Sequence, residues 1–182
     1  MVTKQTLTPA EQKFVLHWGE MGSKWGVNRT VAQIHSLLHI TEEPLNAEVI
    51  SETLGIARSN TSNSIKELMG WGIVKSVPVL GDRREHFVSE KDIWTLFWTV
   101  TEERKKRELD PVRDILKTCL TEMDEDNTQK NSYSQKRIQD LYQFVDATTS
   151  FYDKICRLPT ETLVKIMAAQ NITDSLKKLF QK

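Results

Sequence analysis

A chain of 182 residues, 38% hydrophobic and 27% charged, has the composition of a folded protein with room for one core and a smaller appendage. Its 25 basic and 25 acidic side chains give no net formal charge, which argues against a protein that binds nucleic acid through overall positive charge. Neither a secretion signal nor an apolar stretch long enough to cross a bilayer is visible, so we expect a cytoplasmic protein. Its two cysteines predict no disulfide framework.

The first two helices are predicted from their start and stop signals. Thr8-Pro9-Ala10-Glu11 has the pattern of a capping box with proline at the first helical position, and Gly26 predicts the end of that helix. A second helix is expected from about Asn28 and stops before Thr41. One face of this helix carries apolar side chains at helical spacing: Val31, Ile34, Leu37 and Leu38.

A short helix and a polar helix follow, separated by a glycine. Asn46 is a favourable N-cap for the short third helix, and Gly55 closes it as a C′ glycine. A fourth helix is predicted from near Ser59 to Gly70. Three of its apolar side chains are expected to face inward: Ile65, Leu68 and Met69.

The hydrophobic period then changes from helical to alternating. Residues 73–77 and 85–89 are predicted to be two strands that meet at a turn at Gly81-Asp82, which makes a β-hairpin. A fifth helix begins after Ser89-Glu90-Lys91-Asp92. Its predicted apolar face consists of Ile93, Trp94, Phe97, Trp98 and Val100.

The rest of the chain is predicted to be helical. Asp110-Pro111 places a proline where a helix restarts or kinks, and the polar stretch 124–134 is the best linker candidate. Residues spaced three and four apart between 138 and 155 predict the seam of a packed helix pair, either between subunits or within one. These seam residues are Ile138, Leu141, Val145, Thr148, Tyr152 and Ile155.

The order of these elements is that of a winged helix-turn-helix, a mainly α fold with a small β-hairpin wing. We therefore predict a DNA-binding domain over residues 1–90, whose first helix also contributes to dimer contacts. Residues 91–182 are predicted to form a helical dimerisation and regulatory region. The expected function is that of a sequence-specific DNA-binding regulator, with double-stranded operator DNA as partner.

The fourth helix has an outer face suited to a major groove. Serine and asparagine are poor helix formers, but their hydroxyls and amides can donate to phosphates and base edges. Residues 55–91 carry six cations and four carboxylates, a mild positive patch, and Asp82 can orient one wing arginine. The alternative is a capped surface helix beside a solvated turn. The predicted DNA contacts are Arg58, Ser59, Asn60, Ser62, Asn63 and Lys66 on the helix, with Arg83 and Arg84 on the wing.

The sequence resembles the MarR superfamily, and within it the GbsR-type regulators. The likeness runs from Trp25-Gly26-Val27-Asn28-Arg29 through the segments 43–48, 59–62 and 68–74 to the wing sequence Gly81-Asp82-Arg83-Arg84, which resembles the Asp-x-Arg wing of the superfamily. This resemblance implies a homodimeric repressor that binds operator DNA. Some such proteins control genes for glycine betaine synthesis or uptake and sense choline, so an osmoprotectant-related role is implied.

Three tryptophans near the end of the winged helix form a candidate ligand site. Trp71, Trp94 and Trp98 could surround the quaternary ammonium of choline or another small effector through cation–π attraction. The alternative is that these rings fill the core, since aromatic side chains carry much of the burial in a small domain.

Other classes of site find weaker support. His35 and His39 could share a metal, but no third ligand has suitable spacing, and Cys119 and Cys156 show no activating cation cluster that would mark a redox sensor. No phosphate-binding glycine loop or nucleophile motif is present, so no enzyme activity, cofactor or metal is expected. A winged-helix adaptor for another protein is the alternative function, although it would favour large apolar groups on the outer face of the fourth helix.

Overall fold

The computed structural model describes residues 5–125 and 132–168. The chain divides into two compact units, with the division after Val100. The first unit therefore includes the start of the fifth helix, whereas the separate DNA-binding and dimerisation roles of the two regions stay predictions. Within the described ranges, no helix combines the length and apolar character needed to cross a membrane.

The first unit begins with two helices that pack closely together. Helix α1, Pro9–Lys24, starts with the expected capping box, in which the Thr8 amide donates to Glu11 Oε2 at 2.7 Å. Helix α2, Arg29–Ile40, is capped by the Asn28 side chain, which accepts from the Thr30 amide at 2.8 Å. Both predicted helices are confirmed.

The next two helices form the helix–turn–helix. Helix α3, Ala47–Leu54, is capped by the Asn46 side chain, and Gly55 follows with φ of 66°, a left-handed conformation that favours glycine. Helix α4, Arg58–Gly70, buries Ile65 and Leu68 as expected. The inward prediction for Met69 is wrong, since 40% of that residue is exposed. Thr61 and Ser64 occupy the buried face instead.

Three short strands form the antiparallel sheet, in the order β1-β3-β2. They are β1, Leu45–Asn46, β2, Val74–Val79, and β3, Asp82–Ser89. The hairpin turn is Leu80-Gly81, one residue earlier than predicted, and Gly81 has φ of 85°. The register between β2 and β3 shifts around Pro78, whose missing N–H cannot join the ladder.

Strand β1 was not expected from the sequence. Its two residues pair with β3, Leu45 opposite Phe87 and Asn46 opposite His86, so that Asn46 both pairs with the wing and caps α3. This pairing ties the base of the wing to the start of the helix–turn–helix.

Helix α5, Ile93–Arg104, contributes Leu96 to the core of the first unit. The predicted apolar face is wrong in part, because Ile93 and Phe97 are exposed while Trp94, Trp98 and Val100 are partly buried. The core of this unit consists of Val15, Val31, Ile34, Leu37, Leu38, Leu45, Ile50, Ile65, Leu68, Ile73, Val74, Phe87 and Leu96.

The second unit is helical in its described residues. A π-helical turn, Lys105–Leu109, leads into α6, Asp110–Glu125, and the Asp110 amide donates to Lys105 O across the wider turn. The chain stays helical through Asp110-Pro111 instead of restarting at an N-cap, and the π-helical turn accommodates the proline, which cannot donate to the preceding turn. Most of the predicted linker lies outside the described residues.

Two helices complete this unit: α7, Tyr133–Cys156, and α8, Thr160–Ala168. Within α7, Val145 and Thr149 are buried, whereas Leu141 and Thr148 of the predicted seam are exposed. The predicted seam residues are therefore not all buried by packing within a single chain. An exposed apolar stripe that includes Leu141, Phe144 and Phe151 runs along the same helix.

The contact between α1 and α2 depends on a glycine that has no room for a side chain. A Cβ at Gly22 would lie 2.5 Å from Ala32 Cβ. We expect Gly22→Ala to lower the free energy of unfolding by about 3 kcal/mol because the two helices must separate. Gly70→Ala is the matched control, because a Cβ there meets nothing within 4 Å. Equal denaturation midpoints for the two variants would contradict this packing.

A partly buried histidine joins α2 to the end of β3. His35 Nε2 lies 3.3 Å from Ser89 Oγ, which itself donates to Glu90 O at 2.9 Å, so the neutral His35 ring donates. Burial, together with the charges of His39 and Lys91, lowers the pKa of His35 to about 4. Between pH 6.5 and 4, His35 is therefore protonated in the unfolded chain but stays neutral in the folded chain.

The lowered pKa of His35 predicts that the folded protein loses stability in acid. The unfolding free energy should fall by up to about 3 kcal/mol from pH 6.5 to 4 on account of His35. His35→Gln should show a correspondingly weaker pH dependence in urea titrations, while His17→Gln on the exposed side of α1 should behave like the wild type. An unchanged pH dependence in His35→Gln would show that other groups are responsible.

Candidate DNA-binding surface

Helix α4 has two distinct faces. Its buried face consists of Thr61, Ser64, Ile65 and Leu68, and it packs against α2, α3 and β2. Every helix residue that the sequence predicted as a DNA contact is exposed, and these are Arg58, Ser59, Asn60, Ser62, Asn63 and Lys66. The arrangement presents polar and cationic groups on one surface while two apolar side chains anchor the helix.

The first turn of α4 has no side-chain cap. Its N-cap residue is Ala57, which cannot accept from the first-turn amides, unlike Asn28 before α2 and Asn46 before α3. Uncapped amides at a helix N-terminus, together with the helix dipole, favour an anion such as phosphate. This end of α4 can therefore bind a DNA backbone.

Asn60 also contacts helix α2. Its Nδ2 donates to Thr30 Oγ1 at 3.3 Å, which orients the amide between α4 and the start of α2. One N–H and the carbonyl oxygen of Asn60 stay available, so the side chain can still form the paired hydrogen bonds that asparagine makes with adenine.

The two wing arginines differ in their surroundings. Arg83 is exposed at the start of β3, next to the fully exposed Leu80-Gly81 turn, and no carboxylate pairs with it among the described residues. Arg84 is held by Asp82, whose Oδ1 accepts from Arg84 Nε at 2.9 Å and from the Arg84 amide at 3.0 Å. Hydrogen bonds from Arg84 lower the pKa of Asp82 well below its usual range.

A further carboxylate links the wing to the helix–turn–helix. Glu48, on the first turn of α3, accepts from Arg84 Nη1 through Oε2 at 3.2 Å and pairs with Arg58 Nη2 through Oε1. Sequence reasoning missed Glu48, because an acidic residue in a first helical turn is expected anyway from the helix dipole.

These groups border a cleft of about 520 Å³ between α3, α4 and β3. The cleft brings together three predicted contacts on α4 with the wing arginine Arg84. Its floor is apolar, formed in part by Ile65, Met69 and Phe87. Its lining residues are Asn46, Ala47, Glu48, Arg58, Ser62, Ile65, Lys66, Met69, Arg84, Glu85 and Phe87.

The tryptophans predicted to hold a ligand lie in two places. Trp71 follows α4 and packs partly buried against the core, while Trp94 and Trp98 lie on α5. The Phe97 ring lies between these two tryptophans in the sequence, and its centroid is 6.5 Å from the Trp94 ring centroid and 4.9 Å from that of Trp98. A second pair of aromatic rings, which the sequence analysis did not propose as a site, lies on α1. The ring centroids of Phe14 and Trp18 are 5.5 Å apart.

The histidine pair contacts protein groups. The rings of His35 and His39 stack with centroids 5.9 Å apart, and His39 Nδ1 donates to Glu90 O at 3.2 Å. In the part of the chain that the structure describes, no three histidine, cysteine or acidic side chains gather as metal ligands would.

Residues 25–85 match the family model of MarR. The chain carries a MarR-family domain. The matched range begins just before α2 and ends on β3 after both wing arginines, so this MarR-family domain contains the whole helix–turn–helix and most of the wing.

Two relatives from Bacillus subtilis (strain 168) extend the likeness. The HTH-type transcriptional repressor GbsR is 25% identical over 143 residues, which cover 74% of this chain and 75% of the relative. YvaV, named as an HTH-type transcriptional regulator, is 23% identical over 91 residues, or 50% of this chain and 51% of the relative. The resemblance to GbsR-type regulators is thereby confirmed.

A solved structure shows the same fold. It is described as a transcriptional regulator and has a TM-score of 0.64 at 17% identity, covering 81% of this chain and 96% of that chain. The expected mainly α fold with a winged helix-turn-helix is confirmed by this likeness and by the three-stranded sheet.

The exposed position of Arg83 on the wing predicts that this residue contributes to DNA binding. We expect Arg83→Ala to weaken binding to duplexes of any sequence and to reduce the slope of log affinity against log salt by about 1, because one phosphate contact is lost. Lys75→Ala removes the same charge near the base of the hairpin and serves as control. Fluorescence anisotropy at several salt concentrations measures both slopes. A slope in Arg83→Ala equal to that of the control variant would remove Arg83 from the interface.

Proposed function

We propose that this MarR-family transcriptional regulator binds a pseudo-palindromic operator as a homodimer and represses the genes beside it. The observation that carries the proposal is the exposed face of α4, which is polar and cationic throughout its first two turns and begins at an uncapped N-terminus. Short polar side chains can donate to phosphates and to base edges within a major groove.

The roles of the side chains follow from their chemistry. Ser59, Ser62 and Asn63 would read base edges or bind phosphates, together with Asn60, while Arg58 and Lys66 would neutralise phosphates. The exposed Arg83 would reach the adjacent minor groove from the wing, supported by the Asp82–Arg84 pair. Since the chain has no net charge, affinity depends on this local arrangement.

A dimer is supported by apolar side chains that each unit leaves uncovered. In the first unit these include Leu16 and Trp18 on α1, and in the second unit Phe144 and Phe151 on α7, of which Phe144 is 69% exposed. Exposed apolar side chains of this size commonly mark association surfaces. A twofold dimer would place its two α4 helices in successive major grooves, roughly 34 Å apart.

We further propose that the protein represses transcription and that a small molecule releases it from DNA. Repression is proposed because the GbsR relative is a transcriptional repressor. The effector would be choline or another small cation held by Trp71, Trp94 and Trp98, whose rings can bind a quaternary ammonium. The ligand would favour a dimer geometry that does not fit the operator, so the two would compete. The proposed site of action is the cytoplasm, where the regulator would meet its operator.

A salt-dependent binding titration tests the function. The full chain is titrated onto the promoter fragment upstream of its own gene and onto a scrambled duplex, with and without choline. Preference for the promoter that weakens with salt supports the regulator, and release by choline supports the effector. If specific binding is the same with and without choline, choline is not the effector. Failure on that promoter and throughout a genomic-fragment selection would favour the protein–protein adaptor.

Asn60 provides a test of sequence reading. We expect Asn60→Ala to reduce the difference in affinity between operator and scrambled duplex more than it reduces affinity for the scrambled duplex, because a base contact is lost. Thr30→Val, which removes the hydrogen bond that orients Asn60, should cause a smaller change in the same direction. Uniform weakening across all duplexes would make Asn60 a phosphate contact instead.

A further inference from the structure

We propose, on the basis of the proposed DNA-binding function, that Glu48 limits how strongly the α4–wing surface binds DNA of any sequence. Its single carboxylate pairs with two arginines that come from different elements, Arg58 at the start of α4 and Arg84 on β3. Both arginines are among the side chains that would otherwise pair with phosphates.

The position of Glu48 is well defined. Its amide donates to Asn46 Oδ1 at 3.1 Å, and its place in the first turn of α3 suits a negative charge because of the helix dipole. The side chain is only 26% exposed, whereas Arg58 and Arg84 are 74% and 49% exposed. The carboxylate therefore lies beneath two outward-facing guanidinium groups.

Each carboxylate oxygen of Glu48 has its own partner. Oε1 pairs with Arg58 and Oε2 accepts from Arg84 Nη1 at 3.2 Å, while Asp82 holds the Nε and Nη2 side of Arg84. Two arginines and two carboxylates thus form a cluster with no net charge. A phosphate that approaches this cluster meets no excess positive charge, and it must compete with Glu48 for Arg58.

Glu48 affects the part of DNA binding that does not depend on the base sequence. Such binding draws essentially all of its free energy from phosphate neutralisation, and each neutralised phosphate adds about 0.9 to the slope of log affinity against log salt. Removing the charge of Glu48 would release Arg58 for a phosphate and would free the Nη1 side of Arg84, which Asp82 still holds on its other side. Glu48 therefore acts as a brake on sequence-independent binding, which matters because non-specific sites compete with an operator throughout a genome.

The test compares two variants of α3 on one scrambled duplex. Glu48→Gln keeps the size of the side chain but removes its charge, and Glu52→Gln removes the same charge one turn further along, outside the residues that line the cleft. We expect Glu48→Gln to bind the scrambled duplex about tenfold more tightly at low salt, with a salt slope steeper by about 1 to 2. Glu52→Gln should change both quantities much less.

A double variant separates this brake from a role in folding. In the Arg58→Ala background, Glu48→Gln should yield a clearly smaller gain in affinity, because one of the two released cations is absent. A gain equal in Glu48→Gln and Glu52→Gln, or an unchanged or shallower slope in Glu48→Gln, would overturn the inference. A wild-type chain that binds no duplex at all would overturn the proposed function as well, and that outcome is read from the wild-type titration alone.

Discussion

The packing of Ile65 and Leu68 beneath α4 is the contact on which the rest of the DNA-binding surface depends. Both side chains are almost fully buried against the core that α2, α3 and the sheet provide. Because these two apolar anchors and the buried Thr61 and Ser64 occupy one face of the helix, the opposite face is free to carry serine, asparagine and basic residues. A helix of such low intrinsic helical propensity is stable here because of tertiary packing.

The second constraint is electrostatic. A chain with no net charge has to bind a polyanion through local geometry, and the structure supplies an uncapped helix N-terminus, an exposed Arg83 and a charge-balanced cluster around Glu48. Pairing arginines with carboxylates holds their side chains in place before DNA arrives, at the expense of some attraction to phosphate. Such a surface would favour a fitting sequence over indiscriminate binding.

Much of the fold could be predicted from local signals. Thr8 and Asn46 cap their helices as expected, because a cap depends on a side chain and a backbone only two or three residues apart. The exposed face of α4 was predictable for a similar reason, since helical spacing separates it from Ile65 and Leu68.

The features that the sequence did not reveal depend on distant partners. Strand β1 has only two residues and exists because β3 lies beside it. Met69 lines the open cleft that the wing borders, and the role proposed for Glu48 requires Arg84, which lies 36 residues away in the chain. Neither periodicity nor propensity carries information about such contacts.

Chemical footprinting of the full chain on a selected genomic fragment tests the central claim, that two α4 helices read successive major grooves. Dimethyl sulfate probes guanine N7 in the major groove, and hydroxyl radicals probe the backbone on either side. The account predicts two clusters of protected N7 atoms about one helical turn apart, flanked by protected minor-groove backbone. Guanine N7 atoms that stay reactive throughout a specifically bound fragment would contradict it.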